Sequence, residues 1–299
     1  MEESVVNVVS NSVSSNAITE IFNTICRTIF LSIDGTIYSV LDDIAFIKIN
    51  IFENNLFEKI VNKSSDILLM CNALILGIII FYAVNYLFSH LFMSKIDSPY
   101  QFIFKLIVFS IVMNSSFWIC KQIINIVSLI TEIIQSIGES MFLEEINFTN
   151  LLLNINNKLY SEELEMTMFS FDGIIKSFIS CSFINLAFSY ALRYIMVQVF
   201  VIISPFAFLC LINNKTEWFF KVWIKTFLSL ILEQILIAFI LLIAFSLESD
   251  INENISKLLY IGIMYALTKT NTYMYMLFGG ISTSVQQNFT NMKMFNGKM

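Results

Sequence analysis

The stretch Ile67–Met93, ILLMCNALILGIIIFYAVNYLFSHLFM, contains no Asp, Glu, Lys or Arg. An α-helix rises 1.5 Å per residue, so a helix of this length reaches about 40 Å and crosses a hydrocarbon core about 30 Å thick. The stretch therefore predicts a membrane-spanning helix. Further apolar runs of this kind follow along the chain, and together with the first they indicate the fold class.

The composition of the whole chain points the same way. Of its 299 residues, 57% are apolar and 13% are charged, whereas about 25% are charged in an average soluble domain. The charged residues gather between the apolar runs, which is the pattern of membrane proteins. We predict an all-α integral membrane protein with about five transmembrane helices, amphipathic N-terminal helices and one over-long helix.

The chain divides by composition into five regions. They are an extracytoplasmic or interfacial amphipathic region (1–66), a first two-span hairpin (67–135), an acidic extracytoplasmic loop (136–173), a three-span membrane core (174–280) and a cytoplasmic tail (281–299). Within the first region, charges interrupt residues 18–51 at a frequency that is costly at bilayer depth. This segment predicts amphipathic helices on the membrane or packed on the bundle, and a sixth span stays open.

The second span is predicted to begin near Gln101, and its helical pattern continues to about Gln135. Five polar residues recur in it at helical spacing and share one face: Asn114, Lys121, Asn125, Ser128 and Glu132. They either line a conduit or solvate one side of a helix that leaves the bilayer. We favour the second interpretation, because the stripe is densest where the apolar run has already lasted twenty residues. Lys121 and Glu132 are candidate functional residues.

A third apolar run, 174–213, is broken only by Lys176 and Arg193. Fully helical, it would reach about 60 Å, twice the thickness of the core. No Gly, Pro or polar cluster supplies a turn near Arg193, so the run predicts a single over-long helix. Pro205 is expected to kink that helix or to end its regular hydrogen-bond ladder.

Two further spans are predicted, at about 222–247 and, more weakly, at 258–280. Trp218 and Trp223 lie beside Lys221 and Lys225, a combination that a bilayer interface favours, so both tryptophans are predicted interfacial anchors.

Arg193 and Glu233 are the ionisable residues most clearly embedded in apolar sequence, which makes them functional candidates. Counted from the cytoplasmic turn, Arg193 lies about twenty residues up and Glu233 about ten, a mismatch of about 15 Å at helical rise. This mismatch argues against a simple pair and favours an Arg193 that extends to the outer interface. Whether the two residues pair stays open, and a structural role is favoured over transport.

The lysines predict the orientation. The lysines that lie at alternate ends of the spans are Lys95, Lys105, Lys215, Lys221, Lys225, Lys293 and Lys298. The acidic regions lie at the opposite ends. Five spans with the N-terminus outside and the C-terminus in the cytoplasm satisfy this alternation.

One part of the chain resembles a known family. The segments Arg193-Tyr194, Ile203-Ser204-Pro205-Phe206-Ala207, Lys215-Thr216-Glu217-Trp218, Trp223 and Gly279-Gly280 are similar to the TrbL-type family, the polytopic inner-membrane subunits of conjugative type IV secretion systems. The resemblance covers roughly 174–280. It implies a homo-oligomeric subunit of the bacterial cytoplasmic membrane that assembles with other secretion subunits, including an ATPase in trans, and helps to pass a DNA–protein substrate.

The motifs of other function classes are missing from the sequence. It has no HExxH, GxSxG or GxxxxGK[ST] motif and no Cys/His cluster, so we predict a non-enzyme without metal or cofactor. The sequence has no stripe of basic residues, so we do not expect it to bind nucleic acid directly outside an assembled channel. The alternative is a small-solute transporter or channel, but 8 Gly, 2 Pro and no internal repeat fit that class poorly.

Overall fold

The computed structural model describes residues 20–21, 23–25, 28, 40–48, 64–92, 98–159, 171–214, 216–247 and 253–278. In this part of the chain there are seven long α-helices and no β-strand. The helices are α1 (Ser64–Phe92), α2 (Pro99–Asn114), α3 (Ser116–Phe142), α4 (Phe148–Leu159), α5 (Phe171–Leu209), α6 (Glu217–Ser246) and α7 (Glu253–Phe278).

Four of the described helices are long and apolar enough to cross a membrane. Their candidate spans are Ile67–Phe88, Ser116–Phe142, Gly173–Ile212 and Glu217–Ser246. The predicted all-α membrane class is confirmed. The fifth predicted span, 258–280, is helical as far as it is described, within α7, but that helix is not among the four. Its lysines and its polar run Thr268–Thr272 lower its hydropathy.

The second span differs from the prediction of one continuous helix from Gln101 to Gln135. The helix is interrupted at Ser115, so α2 is a shorter apolar helix and α3 supplies the span. Asn114 turns its side-chain amide back to the carbonyl of Ser110 at 2.9 Å. Short polar side chains compete in this way for backbone partners and weaken a helix. The sequence Asn114-Ser115-Ser116 is therefore a natural break inside an apolar run.

The over-long helix is present as predicted. α5 contains 39 residues and has Pro205 inside it. Because proline has no N–H to donate, it removes one bond of the ladder. The α-helix nevertheless continues to Leu209, and a 3₁₀ turn follows at Cys210–Ile212. Thr216 closes the connection to α6 by donating its hydroxyl to the carbonyl of Cys210 at 2.8 Å.

The predicted acidic loop, 136–173, is largely helical where it is described. α3 extends into it as far as Phe142, and α4 occupies Phe148–Leu159. The two helices separate at Leu143, whose φ of 59° is the left-handed conformation that commonly closes a helix.

The helices contribute to two compact units. Unit 1 contains Met1–Ala45, Ile134–Tyr190 and Ile237–Lys269, and unit 2 contains Phe46–Ile133, Ala191–Leu236 and Thr270–Met299. In unit 1, Phe148 of α4 packs against Phe183 and Tyr190 of α5, at ring-centre distances of 6.5 and 6.1 Å. In unit 2, an apolar cluster joins side chains of α1, α2, α3, α5 and α6.

The structure describes only part of the N-terminal region for which amphipathic helices are predicted. Most of residues 18–51 lies outside the described residues, as do Gly279, Gly280 and the tail 281–299. Residues 40–45 are helical, and Leu41, Ala45, Phe46 and Ile47 are buried. This short piece therefore packs on the bundle, which is one of the two arrangements predicted for it.

Candidate functional site

Arg193 and Glu233 meet inside unit 2. The side chain of Arg193 is 0% exposed and that of Glu233 2%, and Arg193 Nη1 lies 3.9 Å from Glu233 Oε2. This distance is that of an ion pair and is too long for a hydrogen bond. Two opposite charges at this distance keep the interior neutral, so neither is buried without compensation.

The Glu233 carboxylate is also hydrogen-bonded by α7. Thr270 donates its hydroxyl to Oε1 at 2.9 Å, and Asn271 donates its side-chain amide to Oε2 at 3.2 Å. Buried polar groups have to find partners within the protein, and here both carboxylate oxygens do. The four side chains form a polar cluster that links α5, α6 and α7, and we call it the Glu233 cluster.

The expected depth mismatch between Arg193 and Glu233 is wrong. α5 ends at Leu209, sixteen residues after Arg193, and α6 begins at Glu217, sixteen residues before Glu233. Each charge is therefore about 24 Å along its helix from the connecting turn. The apolar pattern alone places the start of the later helix near residue 222. The helix in fact includes the polar residues Glu217 and Lys221. This earlier start places Glu233 at the same distance from the turn as Arg193.

The residue after Glu233 makes a second long-range contact. Gln234 is buried, and its Oε1 accepts a hydrogen bond of 3.0 Å from the backbone N–H of Ile47. Neighbouring residues on a helix point about 100° apart. The side chain of Glu233 therefore faces α5 and α7, and that of Gln234 faces the N-terminal segment.

The two tryptophans have different environments. Trp218 is 63% exposed, and its role as an interfacial anchor stays a prediction, whereas Trp223 is 3% exposed and lies in the core. The Trp223 indole stacks on Phe227 and donates its N–H to the carbonyl of Phe200 at 3.0 Å. A tryptophan with its N–H satisfied inside the protein has no need of the interface. The prediction of an anchor at Trp223 is therefore wrong.

The remaining candidates do not converge on a site. Pro205 is buried, Lys121 is half-buried and Glu132 is exposed. Lys121 and Glu132 lie eleven residues apart on α3, about 16 Å along its axis. Glu132 accepts a long hydrogen bond, 3.4 Å, from the Ser128 hydroxyl one turn earlier. No group of three His, Cys, Asp or Glu side chains that could hold a metal occurs within the described ranges.

Sequence reasoning misses three polar contacts of the site. In the sequence, Thr270 and Asn271 are only a polar run that weakens the fifth span, and Gln234 is only a neighbour of Glu233. Their common signal is an uncharged amide or hydroxyl inside an apolar helix. Such groups hydrogen-bond between helices when water is absent.

A separate contact in unit 1 joins the N-terminal segment to α4. Asp42 Oδ1 accepts the N–H of Phe148 at 2.7 Å, and Oδ2 accepts the Thr149 hydroxyl at 2.7 Å. The first N–H groups of a helix have no partner within it, so a carboxylate from elsewhere in the chain can cap it. Burial raises the pKa of Asp42 above its usual value, although these hydrogen bonds act in the opposite direction.

We expect Asp42→Ala to lower the free energy of unfolding by about 1 kcal/mol, the usual cost of a lost cap. Asp42→Asn keeps an acceptor without the charge. Since the folded-state pKa of Asp42 is raised, its contribution to stability is full below the ordinary pKa and is lost as pH rises through the raised value. The melting temperature of the wild type should therefore fall relative to that of Asp42→Asn as the pH rises above about 4, the ordinary carboxyl pKa. A difference independent of pH would contradict the raised pKa.

The fold and the Glu233 cluster define a class, which is an all-α integral membrane protein with a charge pair held inside its helices. No family model, no curated protein and no solved structure matches this chain.

Proposed function

We propose that this chain is a non-catalytic scaffold or channel subunit of a type IV secretion machine that carries out conjugative DNA transfer. The observation that carries the proposal is the Glu233 cluster. The region 174–280 that resembles TrbL-type subunits contains nearly all of α5 and the whole of α6 and α7, and the cluster links these three helices through one neutral, buried set of contacts. Buried contacts of this kind are typical of a structural scaffold rather than of a catalytic site that a substrate can reach.

The apolar surface of the N-terminal half supports a subunit of a larger assembly. Large apolar side chains of α1 and α2 are exposed, among them Leu76, Phe81 and Phe104. In a bilayer, such surfaces contact lipid or the helices of neighbouring subunits. The proposed partners are further copies of this chain, other secretion subunits including an ATPase in trans, and lipid. Direct nucleic-acid binding is not expected outside the assembled channel.

The proposed location is the bacterial cytoplasmic membrane. The lysine distribution favours an N-terminus outside and a C-terminus in the cytoplasm. In this arrangement α3 replaces the predicted second span, and α7 is the fifth span although its hydropathy is lower. Thr270 and Asn271 of α7 hydrogen-bond Glu233, which offsets part of the cost of placing their polar groups in a bilayer.

Deletion of the gene, with complementation in trans, tests the proposal. We expect the deletion to abolish conjugative transfer from the donor, and the wild-type gene to restore it. A second complementing gene carries Glu217→Gln, which removes only the exposed ion pair with Lys221 and should restore transfer equally. Transfer at the wild-type frequency from the deletion strain would contradict the proposal.

A small-solute transporter or channel is the second candidate. One observation favours it, namely the non-helical backbone at residues 46–48 beside Gln234, because transporters place non-helical backbone at their binding sites near the middle of the membrane. Proteoliposomes that contain this chain alone distinguish the two. Solute uptake or ion conductance above that of empty liposomes would support the second candidate, and their absence together with loss of transfer on deletion supports the first.

A further inference from the structure

Residues 46–48 are non-helical and yet are held deep in unit 2. The helical turn 40–45 ends before them, and the N–H of Ile47 donates to Gln234 Oε1 at 3.0 Å. Ile47 is 1% exposed and belongs to the apolar cluster that includes Ile75 of α1 and Ile231 of α6. The segment is therefore packed among the spanning helices rather than over their ends.

Gln234 gives the depth of this segment. The midpoint of α6, Glu217–Ser246, falls between residues 231 and 232, so Gln234 lies about 4 Å along the axis from the centre of the helix. If α6 crosses the bilayer, the backbone of Ile47 lies near the middle of the hydrocarbon core. Irregular backbone is tolerated at that depth only where it is buried in protein or lines a water-filled cavity.

Lys48 distinguishes these two cases. Ile47 is buried, but Lys48, the next residue, is exposed. Lysine at the centre of a spanning helix costs about 2.5 to 3.5 kcal/mol on insertion scales. At about 4 Å from the centre of the core, the segment is about 11 Å from the nearest interface, which is farther than the four-carbon stem of a lysine can reach. The charge of an exposed Lys48 at this depth therefore favours water over acyl chains as its surroundings.

We propose that the non-helical residues 46–48 border a water-filled vestibule, and that this vestibule reaches the middle of the membrane at Lys48. It admits water and small hydrophilic solutes. It does not continue as an open pore through the Glu233 cluster, because Arg193, Glu233 and Thr270 are buried. The inference does not depend on a role in secretion, since it concerns only where water meets this chain.

Labelling of single cysteines in reconstituted proteoliposomes tests the vestibule. The background variant has its five native cysteines replaced by alanine. Three sites at similar depth are compared, namely Lys48→Cys, Leu76→Cys, which is 64% exposed near the centre of the Ile67–Phe88 span, and the buried Ile47→Cys. The probe is a charged, membrane-impermeant thiosulfonate, applied to each side of the membrane in turn.

We expect Lys48→Cys to react from one side at least roughly tenfold faster than Leu76→Cys or Ile47→Cys, because the reagent attacks a thiolate and thiolates form in water. A Lys48→Cys rate equal to that of Leu76→Cys overturns the proposal. Gel filtration in detergent checks that the three variants are folded, and Lys48→Arg serves as the native-like reference for expression.

A cross-link tests the depth of the segment. Ile47→Cys with Gln234→Cys should form a disulfide under mild oxidant, whereas Ile47→Cys with Glu217→Cys should not, because Glu217 lies about 25 Å from Gln234 along α6. If Lys48→Cys is labelled but the Ile47–Gln234 pair fails to cross-link, the segment lies at the membrane surface and the vestibule is excluded. Neither measurement involves DNA transfer, so failure here is distinct from failure of the proposed function.

Discussion

Replacement of Arg193 by methionine is expected to cost about 3 to 5 kcal/mol of folding free energy, the usual result of breaking a buried ion pair on one side. The change leaves the Glu233 carboxylate 2% exposed, with no cation at 3.9 Å. Its hydrogen bonds from Thr270 and Asn271 remain, but two neutral donors cannot supply the missing charge. The measurement is reversible unfolding in mixed micelles of mild detergent and SDS.

The matched variants separate charge from packing. In Arg193→Met/Glu233→Gln both charges are gone, and the amide oxygen of the introduced glutamine can still accept a hydrogen bond from α7. We expect this double variant to recover most of the loss. Glu217→Gln removes an ion pair with a 2.9 Å contact but with exposed partners, and should cost well under about 1 kcal/mol. Equal losses for Arg193→Met and Glu217→Gln would show that the buried pair does not stabilise the fold.

A methyl group added at Gly138 is expected to destabilise unit 1 by about 1 to 3 kcal/mol, the usual cost of overpacking. The new Cβ would lie 2.8 Å from Leu242 Cδ1 of α6 and still closer to the side chain of Ile146. Alanine has the higher helix propensity, by about 1 kcal/mol, but that gain is smaller than the cost of this clash. Unfolding of Gly138→Ala in the same mixed micelles measures the effect.

Gly77 of α1 provides the control. A Cβ built there meets nothing within 4 Å, so Gly77→Ala should leave stability unchanged or raise it slightly. Larger residues should widen the contrast, with Gly138→Leu failing to fold and Gly77→Leu remaining folded. If both glycines tolerate leucine, α3 and α6 do not approach each other closely at Gly138.

Helix identity and approximate length could be predicted from the sequence, because they depend on local composition. Ile67–Met93 and the run 174–213 each contain enough consecutive apolar residues to predict their helices. The break at Ser115 is not predicted from composition, because a single polar turn barely changes the mean hydropathy over twenty residues. The apolar pattern also places the start of α6 too late, because the polar residues Glu217 and Lys221 belong to the helix.

By itself the sequence determined the all-α membrane class, the over-long helix α5 and the two buried charges as candidates. These features follow from how many apolar residues stand in a row and from what a charge costs among them. The tertiary structure alone decided that Arg193 faces Glu233, that Thr270 and Asn271 complete the Glu233 cluster, and that Trp223 belongs to the core. Partners of this kind lie on different helices, and their meeting depends on the level and rotation of each helix, which local composition does not encode.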